Sequence, residues 1–394
     1  MEVCIYAEKY KNDIWYKGCT LQLPVHQKAL EDARQRARVA DGEGYMLEIT
    51  GEWPVFLYEP LEPCSATLEE LNHLALKLSQ MNVEEQGAYE GVVQSLQEKS
   101  IKNLINGTYN VSHFEFLPGI MDEEELGEVS IENDLVPIIR DLPEEVYRLL
   151  SPERVGNYVK EQEHGVFTSR GYCYRSSEEW MEPYDGVELP EQVEEGSIFS
   201  LHLWSPEANK DDWLELPSST KNAMQVLGQM GILTFQGCTV TEIHSPITQF
   251  EDSLDKKIDV DEMNQLAEEL ASLSPKELVK YKAIAAYESC GSLEHARKLY
   301  HTMDRYTFDP IQVSLAAYGR ECLREGEADL EAEAFRNFDF ESYGKVQFAR
   351  SGMHMTPYGA ISYEPPLEEL PENRSDMEEQ KSEEISDCGM QMGI

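Results

Sequence analysis

The sequence predicts an α+β protein built from two tandem copies of one unit of about 170 residues. Each copy has a small α+β front, a helical middle and an α+β rear. Three observations lead to this prediction: self-similar blocks at a constant offset, helix-period apolar spacing in the middle of each block, and short alternating segments on both sides of it. The length of 394 residues also exceeds one typical core and favours two or three domains.

The front of each copy has the pattern of short β-strands. EVCIYAEKY opens copy one and IFSLHLWSP opens copy two, each with alternating apolar residues followed by a polar turn. The LQLP and LELP segments then end a second predicted strand in each copy.

The middle of each copy is predicted to be helical. In copy one, apolar residues recur at spacings of three and four, and they are Leu68, Leu71, Leu74, Ala75, Leu78 and Met81. Helix starts are marked by capping-box spacings, which join Thr67 with Glu70, Asn82 with Glu85, Asp259 with Glu262 and Ser274 with Glu277. The acidic residues of copy one assigned to the polar helix faces are Glu69, Glu70, Glu84, Glu85 and Glu90.

The rear of each copy ends in a predicted hairpin, GVFTSRGYCY in copy one and HMTPYGAISY in copy two. Residues 67–93 align without gaps on 259–285 at an offset of 192, and residues 153–174 align on 341–362 at an offset of 188. Separated blocks that match in the same order indicate a duplication. The predicted division is copy one at 1–174, an acidic linker at 175–197, copy two at 198–363 and a disordered acidic tail at 364–394.

Net charge is the outlying property of the chain. Asp and Glu number 75 and Lys and Arg number 33, which gives −42. Residues 1–197 hold 39 acids and 16 bases (−23) and the remainder holds 36 and 17 (−19), so both halves are acidic. Such a charge excludes nucleic acid and anionic membrane as partners and favours basic proteins, of which DNA-binding proteins are the largest class. Generic solubility or adaptation to salt is the alternative explanation.

Motifs for catalysis or metal binding do not occur. The chain has no phosphate-binding glycine loop, no H-E-x-x-H and no G-x-S-x-G, and its histidines and cysteines lack zinc-ligand spacing. The DSLDKKIDVDE segment (252–262) lacks the glycine that a calcium loop requires. We therefore expect no catalytic residue, no cofactor and no metal; an acidic hydrolase would need a metal site that the sequence does not show.

Scattered cysteines and the N-terminal pattern predict a cytoplasmic protein. The eight cysteines form no C-x-x-C pair, and MEVCIYAEKYKNDIW has no basic region followed by an apolar run. No stretch approaches the ~20 apolar residues of a membrane span.

The segment MDEEELGEVSIENDLVPIIRDLPEE (121–145) carries ten carboxylates and one arginine, Arg140, among regularly placed aliphatic residues. Those aliphatic residues predict an ordered segment that buries one side. Duplex DNA has one charge per about 1.7 Å of axis, so −42 corresponds to roughly 20 base pairs. The carboxylates predicted to stand in for phosphates are Asp122, Glu123, Glu124, Glu125, Glu128, Glu132, Asp134, Asp141, Glu144 and Glu145, backed by Glu69, Glu70, Glu84 and Glu85.

Each copy resembles the ArdA antirestriction family of DNA mimics from plasmids and conjugative transposons. In copy one the similar segments are VCIYAEKYKNDIWYKGCTLQLP, LEELNHLALKLSQM, LGEVSIENDLVP and LPEEVYRLLSPERVGNYVKEQEHGVFTSRGYCY. In copy two they are LHLWSPEANKDDWLELP, VDEMNQLAEELASLS and NFDFESYGKVQFARSGMHMTPYGAISYE. Together they cover most of residues 3–363.

The resemblance implies an elongated, non-catalytic protein without a cofactor, which occupies the DNA site of type I restriction–modification enzymes. It also implies a homodimer, or here a single chain with dimer-like pseudo-symmetry. The alternative partner is another basic DNA-binding protein, which would make the chain an acidic adaptor of the conjugation machinery.

Copy two departs from the pattern at the acidic segment. At the offset of 192, Glu128 meets Arg320 and Glu132 meets Arg324, while residues 122–125 meet Ser314, Leu315, Ala316 and Ala317. The frame is therefore predicted to exist without these acids, which makes residues 121–145 the place to look for function.

Overall fold

The computed structural model describes residues 1–40, 42–62, 64–137, 143, 146, 149–190, 197–254, 258–310 and 313–365. The chain forms two compact units, Met1–Asp252 and Ser253–Ile394. Helices alternate with small antiparallel sheets in both units, so the predicted α+β class is confirmed.

The first part of unit 1 is a three-stranded antiparallel sheet crossed by one helix, and the strand order is β2-β1-β3. Its elements are β1 (Glu2–Ala7), β2 (Cys19–Gln22), α1 (Gln27–Arg36) and β3 (Tyr45–Thr50). Val3 and Ile5 of β1 and Leu30 and Ala33 of α1 belong to the same buried core. The two predicted strands are present, and the third strand and α1 add to them.

Four helices follow in the middle of copy one: α2 (Val55–Leu61), α3 (Leu68–Gln80), α4 (Val83–Ser95) and α5 (Ile101–Thr108). Both predicted capping boxes are present. The Thr67 and Asn82 side chains accept from the backbone N–H groups of Glu70 and Glu85, and the Glu70 and Glu85 carboxylates accept from the backbone N–H groups of Thr67 and Asn82. Each box satisfies two backbone N–H groups at a helix start, which explains why local sequence alone locates these helices.

The rear of copy one is a second three-stranded sheet, of order β4-β6-β5, and among the described residues two helices lie between its strands. The elements are β4 (Phe114–Pro118), α6 (Glu123–Glu132), α7 (Pro152–Glu163), β5 (Val166–Phe167) and β6 (Gly171–Arg175). The predicted hairpin is β5–β6. Glu90 of α4 is buried against its turn and accepts from the Ser169 N–H (2.8 Å) and the Ser169 hydroxyl (2.5 Å), so the prediction that placed Glu90 on a polar face is wrong.

Unit 1 also contains the front of copy two, a sheet of order β8-β7-β9. Its elements are β7 (Phe199–Ser205), β8 (Lys210–Leu216), α8 (Thr220–Met230), β9 (Thr239–His244) and α9 (Gln249–Ser253).

The described part of unit 2 has three helices and then a sheet of order β10-β12-β11, with two more helices between β10 and β11. The elements are α10 (Val260–Ala271), α11 (Pro275–Tyr287), α12 (Leu293–His301), β10 (Tyr306–Asp309), α13 (Leu315–Glu325), α14 (Phe340–Ser351), β11 (His354–Thr356) and β12 (Gly359–Tyr363). Ser274 and Glu277 form the predicted capping box of α11. Asp259 caps α10 by accepting from the N–H groups of Asp261 and Glu262.

Individual hydrogen bonds recur at the two sequence offsets. The Tyr89 hydroxyl donates to the Leu104 carbonyl at 2.9 Å, and the aligned Tyr281 hydroxyl of copy two donates to the Ala296 carbonyl at 2.9 Å. The Thr168 hydroxyl donates to the Gly171 carbonyl at 2.9 Å, and the aligned Thr356 hydroxyl donates to the Gly359 carbonyl at 2.8 Å. These pairs support the alignment on which the predicted duplication rests.

The boundary between the compact units, at 252/253, differs from the predicted boundary at 175–197. The reason is a polar contact between α1 and the front of copy two. The buried Lys28 ammonium donates to the Ser200 hydroxyl at 2.6 Å, and the Thr248 hydroxyl donates to the buried Asp32 at 3.2 Å. Contacts of such long sequence separation leave no local pattern.

The predicted linker lacks helices and strands between 176 and 190 but is anchored to copy one. The buried Asn106 side chain donates to the Tyr184 carbonyl and accepts from the Tyr184 N–H, both at 2.9 Å. The Tyr184 ring is itself buried. This part of the segment is therefore held against the first copy, although it is acidic and rich in turn residues.

Replacing Asn106 with alanine is expected to lower the free energy of unfolding by about 2–3 kcal/mol, because two buried backbone groups lose their partner. Urea denaturation measures this loss. The control is Asn103→Ala, whose side chain makes an exposed bond to the Glu98 carbonyl, and it should cost less than about 1 kcal/mol. Equal losses in the two variants would contradict the anchoring role.

Candidate partner-binding surface

The acidic segment begins with α6, and carboxylates of the segment itself cap the N-terminus of this helix. Asp122 is the N-cap of α6 and accepts from the Glu125 N–H at 2.9 Å, while the Glu125 carboxylate accepts from the Met121 N–H at 2.7 Å. Glu123, Glu124 and Glu125 occupy the first turn, where negative charge interacts favourably with the helix dipole. Part of the acidity of residues 122–125 therefore has a local structural role.

The opposite side of α6 is buried, as the aliphatic residues predict. Leu126, Gly127 and Ser130 are the buried residues of the helix. Leu126 belongs to a small core at the rear of copy one, whose buried members are Ile120, Leu126, Val136, Val159 and Tyr172. The segment is thus an ordered structure with one apolar side.

A close helix crossing fixes the position of α6. A Cβ atom added to Gly127 would lie 1.8 Å from the Pro152 carbonyl oxygen, and one added to Gly156 would lie 1.8 Å from the Glu123 carbonyl oxygen. Since only glycine allows backbones to approach in this way, α6 and α7 are in direct backbone contact at Gly127 and Gly156. The helix that carries the acids has little freedom to shift.

Six exposed carboxylates of this segment form what we call the α6 carboxylate surface, and they are Asp122, Glu124, Glu125, Glu128, Glu132 and Asp134. Glu124, Glu128 and Glu132 are four residues apart and lie along one side of the helix, at about 6 Å of axial rise per charge. Like charges at this spacing destabilise a helix by about 0.2–0.5 kcal/mol per pair. The row of three glutamates therefore lowers the stability of α6.

Glu123 differs from the other acids of α6. Its carboxylate accepts from the Lys160 ammonium of α7 at 2.7 Å, and this hydrogen bond holds the pKa of Glu123 below its ordinary value. At the end of α7, burial raises the pKa of Glu163, which accepts from the Tyr172 hydroxyl at 2.9 Å. Both acids are half-buried and help to hold α7 in place.

Of the helix acids in the middle of copy one, two have structural partners. Glu70 is buried, where it accepts from the Thr67 N–H and the Tyr184 hydroxyl, both at 2.7 Å, so its predicted place on a polar face is wrong. It is buried because the anchored segment at 181–184 covers it. Glu69 is half-buried and forms an ion pair with Arg34.

The other two helix acids, Glu84 and Glu85, are exposed on the first turn of α4. They line an open groove of about 510 Å³ together with Met81, Glu115 and Phe116. Local sequence patterns do not predict this groove. Two of its lining residues, Glu115 and Phe116, belong to β4 and come from another part of the chain.

Three of the carboxylates predicted to stand in for phosphates lie outside the described residues, and they are Asp141, Glu144 and Glu145.

The corresponding helices of unit 2 repeat the crossing without the acids. Ser314 caps α13 at the position that aligns with Asp122. A Cβ atom on Gly319 would lie 2.5 Å from the Phe340 carbonyl oxygen, and one on Gly344 would lie 1.8 Å from the Leu315 carbonyl oxygen. Arg320, at the position of Glu128, lies over the Phe340 ring at 4.9 Å. The same frame therefore forms with apolar and basic residues at these positions.

Within the described ranges, no three or more His, Cys, Asp or Glu side chains are grouped to hold a metal ion. No helix in those ranges combines the length and hydropathy needed to cross a membrane. Neither a protein-family model nor a curated protein matches this chain.

Proposed function

We propose that the protein is an antirestriction protein that binds type I restriction–modification enzymes as a mimic of duplex DNA, in the cytoplasm of a cell carrying a mobile element. The observation that carries the proposal is the α6 carboxylate surface. It is negative, exposed and held on a rigid frame whose counterpart in unit 2 does without the acids.

The row of carboxylates on α6 has roughly half the linear charge density of one DNA strand. Each strand of duplex DNA presents one phosphate per about 3.4 Å of helix axis, and the row on α6 presents one carboxylate per about 6 Å. Additional acids flank this row at Asp122, Glu125 and Asp134. A groove lined with arginine and lysine would gain charge-assisted hydrogen bonds from such a surface.

Rigidity adds to the affinity of such a surface. Flexible acidic chains lose conformational entropy when they bind, whereas α6 is already fixed by the Gly127–Gly156 crossing. Because the row of like charges destabilises the helix, its presence is better explained by binding than by folding. Solubility alone would be served equally by acids spread over mobile segments.

Glu84 and Glu85 form a second, smaller acidic area in this proposal, whereas Glu69 and Glu70 are assigned to folding because of their internal partners. No residue is assigned a catalytic role, and neither a metal nor a cofactor takes part.

The test is competition with labelled duplex for a purified type I methyltransferase complex. We expect the protein to displace DNA, with an affinity that falls at least about 10-fold between about 50 and about 200 mM salt, because released counterions and screening both weaken charged contacts. No displacement at micromolar protein in low salt would overturn the proposal. Capture of a basic conjugation protein in place of restriction subunits would identify the chain as an acidic adaptor.

A further inference from the structure

The front of copy one and the front of copy two meet inside unit 1 through one helix and one sheet face. The helix is α1, and the sheet face is the outer side of the β8-β7-β9 sheet. The Lys28 ammonium lies 2.6 Å from the Ser200 hydroxyl and 3.8 Å from the Glu215 carboxylate, and the His26 ring stacks on His244 with 4.2 Å between centroids.

The three sheet residues of this contact form one row across the strands. In the register, Ser200 of β7 pairs with Glu215 of β8 and with His244 of β9. The first turn of α1 covers Ser200 at the centre of this row, where Lys28 is 3% exposed, while Glu215 stays exposed at its edge.

Each half of this contact has a counterpart in unit 1 that is largely exposed, although Glu2 on the sheet side is half-buried and accepts from the Gln22 amide. The equivalent helix is α8, whose start at Thr220 corresponds to the start of α1 at Gln27. In this correspondence Lys221 stands at the position of Lys28. Met230 is the only buried residue of α8, and Met224 is 67% exposed. By comparison α1 buries Lys28, Ala29, Leu30, Asp32 and Ala33.

The equivalent sheet row lies on the outer side of the β2-β1-β3 sheet. There Glu2 of β1 pairs with Gln22 of β2 and with Thr50 of β3, as Ser200 pairs with Glu215 and His244. Thr20, Gln22, Met46 and Glu48 on this side are exposed. Glu2 provides the carboxylate that a lysine at the position of Lys28 would meet.

We propose that the protein binds a second copy of itself head to tail, with α8 of one chain on the outer face of the β2-β1-β3 sheet of the next. Lys221 then pairs with Glu2, as Lys28 meets Ser200 and Glu215 within one chain, and Met224 lies next to Lys221 on the same side of α8. The contact joins two different surfaces, so further chains can be added in a row or closed into a ring. The inference goes beyond the proposed function and is independent of it.

Electrostatics predict an unusual salt dependence for this association. Two chains of −42 repel each other, whereas the contact itself contributes one opposite-charge pair. Raising salt shortens the screening length from about 10 Å at 0.1 M to about 3 Å at 1 M. Self-association should therefore strengthen with salt, while binding to a basic enzyme should weaken.

Sedimentation velocity on the full chain, at about 1 to about 100 µM protein in about 0.1 and about 1 M NaCl, tests the proposal at the low affinity expected of a small interface. We expect the average sedimentation coefficient to rise with protein concentration in high salt. Lys221→Glu with Met224→Glu should abolish the rise. The control, Lys276→Glu with Val187→Glu, makes the same charge change at exposed positions elsewhere and should leave it intact.

Mixing two defective variants distinguishes head-to-tail binding from a symmetric dimer. The helix variant keeps its sheet face, and a sheet variant, Thr20→Lys with Gln22→Lys, keeps its helix. Each should be monomeric alone, and the mixture should give 1:1 dimers and nothing longer. A wild-type chain that stays monomeric in high salt, a helix variant that still associates, or a control that fails to associate would each overturn the proposal. Inhibition of a restriction enzyme by the helix variant at nanomolar concentration is expected to be unchanged, so the two proposals can fail separately.

Discussion

Replacing Glu124, Glu128 and Glu132 with lysine is expected to abolish inhibition of a type I restriction enzyme and leave the chain folded. The three positions form the exposed row on α6. Each reversal places a lysine opposite the basic groups that bind phosphates in the enzyme. Like charges that face each other across an interface weaken binding by several kcal/mol. We expect an affinity loss of at least about 10³-fold, which corresponds to about 4 kcal/mol.

The fold should tolerate this triple reversal. The three side chains are exposed, and the bonds that cap α6 are made by Asp122 and Glu125, which are retained. A lysine row repeats the like-charge repulsion of the glutamate row, and lysine at position 124 loses a favourable interaction with the helix dipole. The free energy of unfolding should therefore fall by no more than about 1 kcal/mol, measured by urea denaturation.

A matched control changes the same charge on unit 2. Glu325, Glu327 and Glu331 are exposed there, and their reversal also moves the net charge from −42 by +6 to −36. If binding depends on a defined surface, this variant should inhibit almost as well as the wild type. Equal losses in both variants would mean that total charge, rather than the α6 carboxylate surface, determines binding.

Much of the fold follows from local sequence. Thr67 with Glu70 and Asn82 with Glu85 mark helix starts because the bonds of a capping box join residues only three apart. The β5–β6 hairpin follows for the same reason. By contrast, the contact of Lys28 with Ser200 spans 172 residues, so the place of the 199–252 segment within unit 1 could not be predicted from local patterns.

For the site residues, helical spacing predicts which side chains are exposed only where no distant segment of the chain packs over the helix. Glu124 and Glu128 are exposed as predicted, because no described residue of unit 1 covers that side of α6. Glu70 has the same helix-start position as Glu85 but is buried, because residues 181–184 fold back over α3 and Tyr184 donates to it. Helical periodicity identifies a polar face without indicating whether a later segment covers it.

Replacing Gly127 with alanine is expected to abolish inhibition while every carboxylate is retained. The added methyl group would lie 1.8 Å from the Pro152 carbonyl oxygen and 2.4 Å from its carbon. These are backbone atoms of α7 that cannot rotate away, so the two helices must separate and the small core around Leu126 must open. We expect the free energy of unfolding to fall by about 3 kcal/mol or more, measured by urea denaturation.

Substitutions at two other glycines serve as controls. They distinguish the loss of the α6–α7 crossing from the general effect of replacing a helical glycine with alanine. Gly228 lies in α8 with nothing within 4 Å of an added Cβ, so Gly228→Ala should stabilise the chain by about 0.5–1 kcal/mol. Gly319→Ala repeats the Gly127 clash in unit 2, where the added Cβ would lie 2.5 Å from the Phe340 carbonyl oxygen. It should destabilise unit 2.

The comparison of Gly127→Ala with Gly319→Ala tests whether the carboxylates must be held in place. Both variants keep the net charge of −42 and both open a helix crossing, but only the crossing in unit 1 carries the α6 carboxylate surface. If the row on α6 must be rigid, Gly127→Ala should lose inhibition in low salt at a temperature where the rest of the chain is still folded, and Gly319→Ala should retain it. Full inhibition by Gly127→Ala would mean that a flexible acidic segment is sufficient, and the rigid display of charge would then have no part in binding.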